Sequence, residues 1–506
     1  MIRADVVVVG AGGSGAPLAA RLAEGGIDVV LVEAGRVPSD RGHFGDDLLD
    51  AGRLRGADPS HPDTWAHPAR LTTGRDYTVI RGRVAGGSTT TNGGYFVRPT
   101  AADVARWTAR APEWSPEVVR AAMIRLERDL DFGAAPGHGD AGPMPVSRPD
   151  PTHPVSQAFV RAALAQGMRW IPDANVDDGE GVGPLPMDVV DGVRWNTALG
   201  YLLGYAPSRA GRRGRPRVVQ GTVRHVVLRA GRAHGVELLR DGGAERVEAD
   251  EVVLSAGAFA SPQLLMRSGI GPAALLEAAA LPVVHDSPGV GAAFSDHPQI
   301  PLDWWPEVAL PTDSPTAMAV VAHTGTAEIL PLLAPVPVLL GGAGSARPHP
   351  FTTLVSLSRA RSRGTIKPAA GRGGEGFAID YRYLEDPLDR ADLREAVRAT
   401  SALHESAAFT EVSAGATDLP ARTLDGDTAL DAWILDHLGT SVHACGSAPM
   451  GPPTDPGSVV DGLGRVYGVK GLRIADTSIL PEAPSRGPAY SAVVIGEVLA
   501  ALMLRG

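Results

Sequence analysis

The chain has 506 residues, a formal net charge of −10, 62 Gly, 43 Pro and one Cys. That length predicts two or three cores, or two interleaved ones, and the acidic balance repels phosphate backbones and argues against a nucleic-acid partner. A lone cysteine, Cys445, excludes an intrachain disulfide and a cysteine metal cluster, while Gly and Pro spread without a period predict a loop-rich protein.

Four valines, Val6 to Val9, suit a strand covered on both faces and run straight into Gly10-Ala-Gly-Gly-Ser-Gly15. Gly10, Gly12 and Gly15 fall on G-x-G-x-x-G. The first permits the tight turn, the second lets the backbone approach a pyrophosphate, and the third lets the following helix pack on the strand. Gly13 and Ser14 share this cradle at the start of a helix predicted over 17–23, whose free N–H groups favour an anion. A second buried strand, 27–32, ends in Glu33 and Ala34, about 20 residues past the glycines, where a carboxylate accepts hydrogen bonds from a ribose diol. Strand, turn, helix, strand and acid together point to a bound dinucleotide.

No charged segment followed by an apolar core opens the chain, and the apolar stretches at 331–340 and 489–504 are too short or interrupted to span a bilayer. The expectation is a soluble cytoplasmic protein, with loose peripheral association at the inner face of the membrane left open.

From Glu33 to about residue 80 few elements are predicted. Gly86 and Gly87, followed by Ser88 and Thr89, offer N–H and hydroxyl donors to a phosphate or a heterocycle, a small-residue turn being the alternative. Ser115-Pro116-Glu117 supplies an N-cap, a first-turn proline and an acidic first turn for a core-facing helix reaching Leu130. A second amphipathic helix is predicted at 156–166, and 182–197 is expected to be irregular and to line a pocket. Arg209, Arg212, Arg213, Arg215 and Arg217 read as a solvated loop before a strand. Alternating valines over 217–248 predict an antiparallel meander. A buried strand at 251–254 then enters a second strand-turn-helix unit, its helix started by Ser261-Pro262 and stopped by Gly269. Mixed strands near 351–357 and 376–383 and helices near 389–407 and 427–438 form a separate layer, with Trp304 and Trp305 facing substrate or core. A strand at 472–475, Asp476 and an apolar helix from about Ser491 return to the style of the first domain.

These segments resemble the glucose-methanol-choline (GMC) oxidoreductases, flavoenzymes that oxidise alcohols, along nearly the whole chain. Residues 82–92, Gly-Arg-Val-Ala-Gly-Gly-Ser-Thr-Thr-Thr-Asn, are similar to the first family signature, with Ala85 and Thr91 where larger aliphatics are usual. Gly257, Ser261, Pro262, Leu265, Met266, Ser268, Gly269, Ile270 and Gly271 match the second. Residues 383–387 and the run His443-Ala-Cys-Gly-Ser-Ala-Pro-Met-Gly451 are also family-like. The resemblance implies an α/β fold: a Rossmann-like FAD-binding domain from 1–150, 195–299 and 440–506, with a discontinuous α+β substrate domain, 151–194 and 300–439, on a mixed or antiparallel sheet. It implies FAD with its pyrophosphate on Gly10, Gly12, Gly13, Ser14 and Gly15, its ribose on Glu33 and Ala34, and its adenine beside Val223. Gly87, Ser88, Asn92, Gly93 and Gly94 would line the flavin; Asp476, with Ala256 and Ala475, would hold the ribityl-phosphate side. Thr91 stands where some members carry a histidine that attaches FAD covalently, so non-covalent FAD is expected.

A narrower resemblance, carried by 92–96, 181–186 with 192–194, 445–451 and 484–488, is to the actinobacterial GMC dehydrogenases associated with mycofactocin. It implies re-oxidation of reduced mycofactocin, a peptide-derived redox carrier, with electrons passing to a respiratory acceptor. Alcohol oxidation needs a base for the hydroxyl proton and a hydride acceptor at flavin N5; His443 is the expected base. The family pairs it with a second His or Asn about ten residues before a glutamate in the last helix. Counting back from Glu497 gives Gly487, which leaves Arg486, Tyr490 or a donor from the other domain to orient the substrate. One-base chemistry, a bulky substrate filling the space at Gly487, and lost activity are all open. Cys445 is expected to be a buried inert thiol. His297 and His323 lack metal-ligand spacing with one another, so no metal is assigned. The alternatives are a choline-like oxidase or dehydrogenase acting directly on a small alcohol, a hydroxynitrile-lyase-like enzyme, and a non-redox flavoprotein.

Overall fold

The computed structural model describes residues 2–133, 135–203, 214–240, 242–342, 349–371 and 376–505; Arg209, Arg212 and Arg213 of the basic cluster lie outside them. The valine run Val6 to Val9 is buried, and strand Ile2–Val9 is an interior strand with parallel neighbours on both edges, Val29–Glu33 and Gly243–Leu254. Arg217–Gln220 adds a parallel edge beside Val29–Glu33, and Leu472–Ile474 runs parallel to the end of Gly243–Leu254. One sheet is thus assembled from both ends of the chain. The meander expected from residue 217 begins only at Thr222: Thr222–Arg229, Arg232–Arg240 and Gly243–Leu254 pair antiparallel. Arg217 reaches Asp28 at 2.9 Å on the exposed rim, in keeping with a solvated role.

The helix after the glycine turn, Gly15–Glu24, packs against the C-terminal helix Ala489–Met503. Close approach depends on Gly496, where an added Cβ would fall 2.4 Å from the Ser14 carbonyl oxygen. The Ser14 hydroxyl donates to the Ala492 carbonyl at 2.6 Å.

A second sheet runs in the order Ser413–Ala416, Pro298–Pro306, Phe351–Leu357, Ala327–Pro331, Val320–His323 and Gly181–Pro184, antiparallel throughout. Helices Pro154–Ala165 and Pro387–His404 pack on it. Trp304 is fully buried there against Phe351 and Phe409, while Trp305 is exposed, so the pair belongs to a core and a surface. A third sheet pairs the hairpin Thr64–Thr72 and Arg75–Gly82 with Phe377–Asp380 and Thr365–Pro368. This hairpin was not expected from sequence: Arg70, Arg75, Asp76 and Pro68 break its apolar alternation, because one face stays in water. It joins residues 64–82 to 365–380, across the domain division read from the sequence.

Three local expectations are corrected. The helix capped by Ser115 stops at Leu126, because 127–129 pairs as a strand with Met144–Val146, and Leu130 is exposed. The helix placed after Ser261-Pro262 starts earlier, at Gly257, and carries Pro262 inside. Proline lacks the N–H that would bond the Ala258 carbonyl, and the Ser447 hydroxyl donates to that oxygen instead. Residues 182–197 are not irregular throughout but contribute the short strands Gly181–Pro184, Val189–Val190 and Val193–Arg194. Among the described residues no helix is long and apolar enough to cross a membrane.

A buried ionic network braces the segment after Leu126. Glu127 accepts from Arg98 at 2.7 Å and from the Tyr490 hydroxyl at 2.6 Å. His138 lies 3.1 Å from both Asp129 and Asp173, which Arg148 also bridges. The ligand atoms of Glu127, Asp129 and His138 lie within 4.8 Å of one another, but two guanidiniums already neutralise these carboxylates. The Glu127 hydrogen bond, with Asp173 and Asp129, raises the His138 pKa against its burial. A raised folded-state pKa stabilises fully below the unfolded value, about 6.5, and that stability is lost as pH rises through the folded value. Denaturation midpoints should therefore fall as pH rises above about 6.5, and His138→Gln should flatten that slope; equal slopes in the two proteins would refute the coupling.

Candidate active site

Residues 295–297 and 443–445 run antiparallel, with Ser295 and Cys445 exchanging backbone hydrogen bonds at 3.0 and 2.9 Å. One carboxylate oxygen of the buried Asp296 accepts the backbone N–H of both His297 and His443, each at 2.7 Å. The two histidines therefore hang from one anchor. Val442, just before His443, sits at φ +59°, a strained conformation for a β-branched residue.

The rings meet nearly perpendicular, Nδ1 to Nδ1 at 3.0 Å, and His297 Nε2 lies 3.0 Å from the Pro484 carbonyl oxygen. A carbonyl can only accept, so His297 donates from Nε2, and the tautomer that does so offers a lone pair at Nδ1. His443 must then donate from Nδ1, which leaves its Nε2 lone pair free. Burial, reinforced by His297 and by the charge of Arg81, presses the His443 pKa down to about 3, with Glu328 opposing. The ring is neutral at physiological pH and its tautomer is set.

The space at Gly487 is filled. A Cβ there would lie 2.9 Å from Tyr95 Cδ1 and 3.5 Å from His443 Cε1, so the Tyr95 ring stands where a second catalytic side chain would project, and no gap is held for a bulky substrate. The Tyr95 hydroxyl donates to Glu328 and lies 3.2 Å from His323 Nε2, which is itself 3.3 Å from Glu328. Burial lowers the His323 pKa, whereas burial and the Glu328 charge push the Tyr95 phenol well up. Arg486 is not a surface charge: it is 3% exposed and donates to the Ala174 carbonyl. Tyr490 is committed to Glu127, Arg98 and the Met123 carbonyl, and so does not orient anything at His443. The Cys445 thiol donates to the His443 carbonyl at 3.2 Å and burial raises its pKa, as suits an inert thiol.

The segment from Gly82 to Tyr95 connects these histidines to the glycine turn. Gly86 N–H donates to the Ala11 carbonyl at 2.8 Å, and a Cβ on Gly87 would fall 2.8 Å from Gly12 Cα. Ser88 accepts from Gly82 N–H at 3.1 Å and Asn92 from Gly94 N–H at 3.0 Å; a Cβ on Gly93 would strike Met318. Within the turn the glycines divide by task. A Cβ on Gly10 (φ +103°) would meet the Ser255 carbonyl at 2.4 Å and one on Gly15 would meet the Gly10 carbonyl at 1.9 Å, whereas one on Gly12 finds nothing nearer than 3.8 Å. Gly10 and Gly15 permit packing; Gly12 faces open space. Gly257 is open too, with nothing within 4 Å.

Gly12, Gly13, Gly87, Ser88, Asn92, Gly93, Ala256 and Gly257 all keep accessible surface between buried elements. Glu33 stands at one side, accepting from Ala11 and Gly35 N–H at 2.8 Å, its pKa raised by burial. Gly221 N–H donates to the Glu33 carbonyl at 2.8 Å, which brings the strand of Val223 alongside. Asp476 stands at the other, accepting from Gly257 N–H at 2.8 Å and from Ser261, while Ser255 donates to the Ala475 carbonyl at 2.6 Å. The open cradle and the two carboxylates fit FAD. The Ser14 hydroxyl is spent on Ala492, which leaves its backbone N–H as the group it can offer.

A cavity of about 350 Å³ adjoins His297 and Asp296, lined also by Arg359, Arg361, Arg363 and Glu482. Neither His443 nor the glycine turn lines it, and Glu482 and Asp392 pair with its arginines.

Family models described as GMC oxidoreductase match residues 5–299 and 360–496. The chain belongs to the GMC oxidoreductase family. Enzymes of this family use FAD, which agrees with the cradle. This GMC oxidoreductase is 38% identical over 519 residues to the uncharacterized GMC-type oxidoreductase in the thcA 5′ region of Rhodococcus erythropolis, covering 99% of this chain and 98% of that one. It is 32% identical over 516 residues to an oxygen-dependent choline dehydrogenase of Rhizobium johnstonii, covering 95% and 92%. Its structure matches pyridoxine 4-oxidase from Mesorbium loti with a TM-score of 0.89 at 25% identity, covering 99% of both chains. A formate oxidase variant of Aspergillus oryzae, at 21% identity and a TM-score of 0.87 over 99% and 98% of the chains, shares the fold.

His297, Tyr95, His323 and Glu328 were missed as site residues. His297 and His443 are 146 positions apart and Tyr95 and Glu328 are 233 apart, so no local spacing links them; only the Asp-His-Pro run at 296–298 offered a hint. Gly12→Val would place methyl groups in the open cradle, and purified protein should carry roughly a tenth or less of the wild-type flavin absorbance per chain. Full flavin occupancy in that variant would remove the FAD assignment from this cradle.

Proposed function

We propose that this GMC oxidoreductase oxidises the CH–OH group of an alcohol, with His443 as the base and FAD held non-covalently. The reading rests on one observation: His443 is neutral and offers a free Nε2 lone pair beside the Tyr95–Gly487 wall. The hydroxyl proton goes to that nitrogen, the carbon–oxygen bond becomes a double bond, and a hydride leaves carbon. Bound FAD supplies the two-electron acceptor for that hydride. Asp296 holds the backbones of both histidines, and His297 holds the His443 tautomer, so the base needs no rearrangement before it acts. Gly10 to Gly15, Glu33, Ala34, Val223, Ala256, Ala475 and Asp476 would hold the dinucleotide, with Gly87, Ser88 and Asn92 to Gly94 along the flavin. Thr91 offers no imidazole for a covalent link.

The segments at 92–96, 181–186 with 192–194, 445–451 and 484–488 support reduced mycofactocin as the donor and a respiratory electron acceptor, hence a dehydrogenase. Direct oxidation of a small alcohol is the second reading. It is favoured by the Tyr95 ring that closes the space at Gly487 and by relatives named for choline and pyridoxine.

Anaerobic mixing with reduced mycofactocin and with a panel of small alcohols should bleach the flavin with one of them; oxidised flavin with every donor would sink the proposal. His443→Ala should keep its FAD and lose about 10²–10⁴-fold in the rate of flavin reduction; an unchanged rate would remove His443 from the chemistry. A base works above its pKa, and His443 is held at about 3, so kcat/KM should show no acid limb near the ordinary imidazole value of about 6.5. A limb at that value, lost in His443→Ala, would contradict the buried neutral base.

A further inference from the structure

We infer that Thr440 is a positioning residue for the His443 base: its hydroxyl, braced by Tyr383, holds Val442 in a strained bulge that aims the imidazole. The inference rests on the reading of His443 as the base and adds the residues that place it.

Segments 295–299 and 439–445 pair antiparallel, but not in one register. Pro298 pairs with Thr440 and Ser295 with Cys445, so Asp296 and His297 on one side face Ser441 to Ala444 on the other. Two residues oppose four. The surplus makes a bulge, the device by which a strand re-aims a side chain beside an active site. Uninterrupted pairing from Pro298 and Thr440 would set His443 opposite Ser295, the place that Cys445 takes. The bulge instead keeps His443 beside Asp296 and His297.

Val442 lies within this bulge at φ +59° and is the only β-branched residue at positive φ among the described residues. Glycine reaches that region freely, whereas valine leaves it unless held. Three successive N–H groups do the holding. Ser441 donates to the His297 carbonyl at 3.0 Å, Val442 to Thr440 Oγ1 at 3.2 Å and His443 to Asp296 Oδ1 at 2.7 Å. The outer two go to the facing strand; the middle one depends on the Thr440 hydroxyl. Thr440 is buried, and its Oγ1 lies 2.9 Å from the hydroxyl of the buried Tyr383. Tyr383 is flanked in turn by Arg382 at φ +53° and Leu384 at φ +63°, and its own N–H donates to the Leu71 carbonyl at 2.8 Å. Three of the six non-glycine residues at positive φ among the described ones thus adjoin a single side-chain contact, one residue away from the base. Strain persists only where the surroundings over-determine it, and here they do so around the backbone that carries His443. Without the Thr440 hydroxyl Val442 can relax and carry the imidazole off its two anchors, and a misplacement of about 1 Å can cost up to about 10²-fold in rate.

The test is a mutant cycle on the FAD-loaded enzyme. Thr440→Ala and Thr440→Ser are made in wild type, and Thr440→Ala is also made in Val442→Gly and in Val442→Asn, because Gly and Asn tolerate positive φ. Spectra of ¹⁵N-histidine-labelled protein, assigned by the signal lost in His443→Gln, should show His443 protonated on Nδ1. Thr440→Ala should lose or shift that signal and slow anaerobic flavin reduction by about tenfold, while Thr440→Ser should keep most of both. In the Val442→Gly and Val442→Asn parents the same Thr440→Ala change should cost less than about threefold and spare the Nδ1–H signal, since the bulge no longer needs its clamp. A hydroxyl that only supports the core would cost the same in every parent. Equal costs, or an unchanged His443 signal in Thr440→Ala, overturn the inference. Tyr383→Phe should act in the same direction as Thr440→Ala; wild-type spectra and rate in that variant would remove the brace. If no donor reduces the flavin, or His443→Ala is reduced as fast as wild type, the base reading falls while the spectra still decide the clamp. Loss of the coupling with an intact dependence on His443 sinks the clamp alone.

Discussion

Glu497 is a fully buried carboxylate in the C-terminal helix, and the arrangement of the site depends on how it is held. Arg21 of the first helix donates to it at 2.9 Å, Tyr201 at 2.8 Å, and Arg125 closes the opposite side. Losing both arginines would strand a charge in the interior, and leaving a buried ion without its partner costs about 3–5 kcal/mol, so four segments are fixed to one another at this point. The residue before it, Gly496, lets the helix seat directly on the carbonyl of Ser14. With that helix fixed, the loop ahead of it, Pro484 to Pro488, is delivered to the histidines and to Tyr95. The glycine turn lies at one end of this packing and the candidate base at the other.

From that loop comes the group that sets the histidine chemistry. The Pro484 carbonyl fixes His297, His297 fixes His443, and Asp296 fixes the backbones of both. A neutral carbonyl does this without placing a charge beside the base, which a carboxylate in the same position would do. The low His443 pKa follows from the same design: burial and a neighbouring imidazole disfavour the cation. Gly487 is then no deficiency in packing, since the Tyr95 ring occupies its side of the wall and is itself anchored on Glu328.

The first strand, the glycine turn and Glu33 were legible because their constraints are local: a double-faced strand needs a valine run, and a close helix needs glycine at fixed offsets. The same holds for the return of the chain at Leu472–Ile474 and for Asp476. The hairpin over 64–82 was not legible, because its outward face carries arginines and aspartates that a strand tolerates only when half solvated. Pro262 read as a helix start because proline is favoured in a first turn; Ser447, remote in sequence, satisfies the carbonyl that makes an interior proline tolerable. Tyr490 sits three residues from Gly487 yet belongs to the Arg98–Glu127 network, since tertiary partners and not sequence distance decide where a side chain points. His297, Tyr95 and Glu328 meet His443 only through the pairing of 295–297 with 443–445 and the antiparallel sheet behind them, which a single sequence does not encode at any fixed spacing.

The hydrogen-bond chain also limits where a proton can go. Once His443 Nε2 has taken a proton, its Nδ1–H still points at His297, and His297 Nε2–H points at a carbonyl that cannot hold a proton in exchange. The chain is therefore an anchor and not a relay, and the arginine-lined cavity beside His297 is cut off from the base by it. Under the proposed chemistry the proton would leave by the face through which it arrived, after the carbonyl product has moved away. On that view the cycle couples product departure to the resetting of the base. On the same reading, the buried Tyr95 ring and the Glu328 that anchors it would influence turnover through how long the site retains the product, as well as through how it orients the substrate.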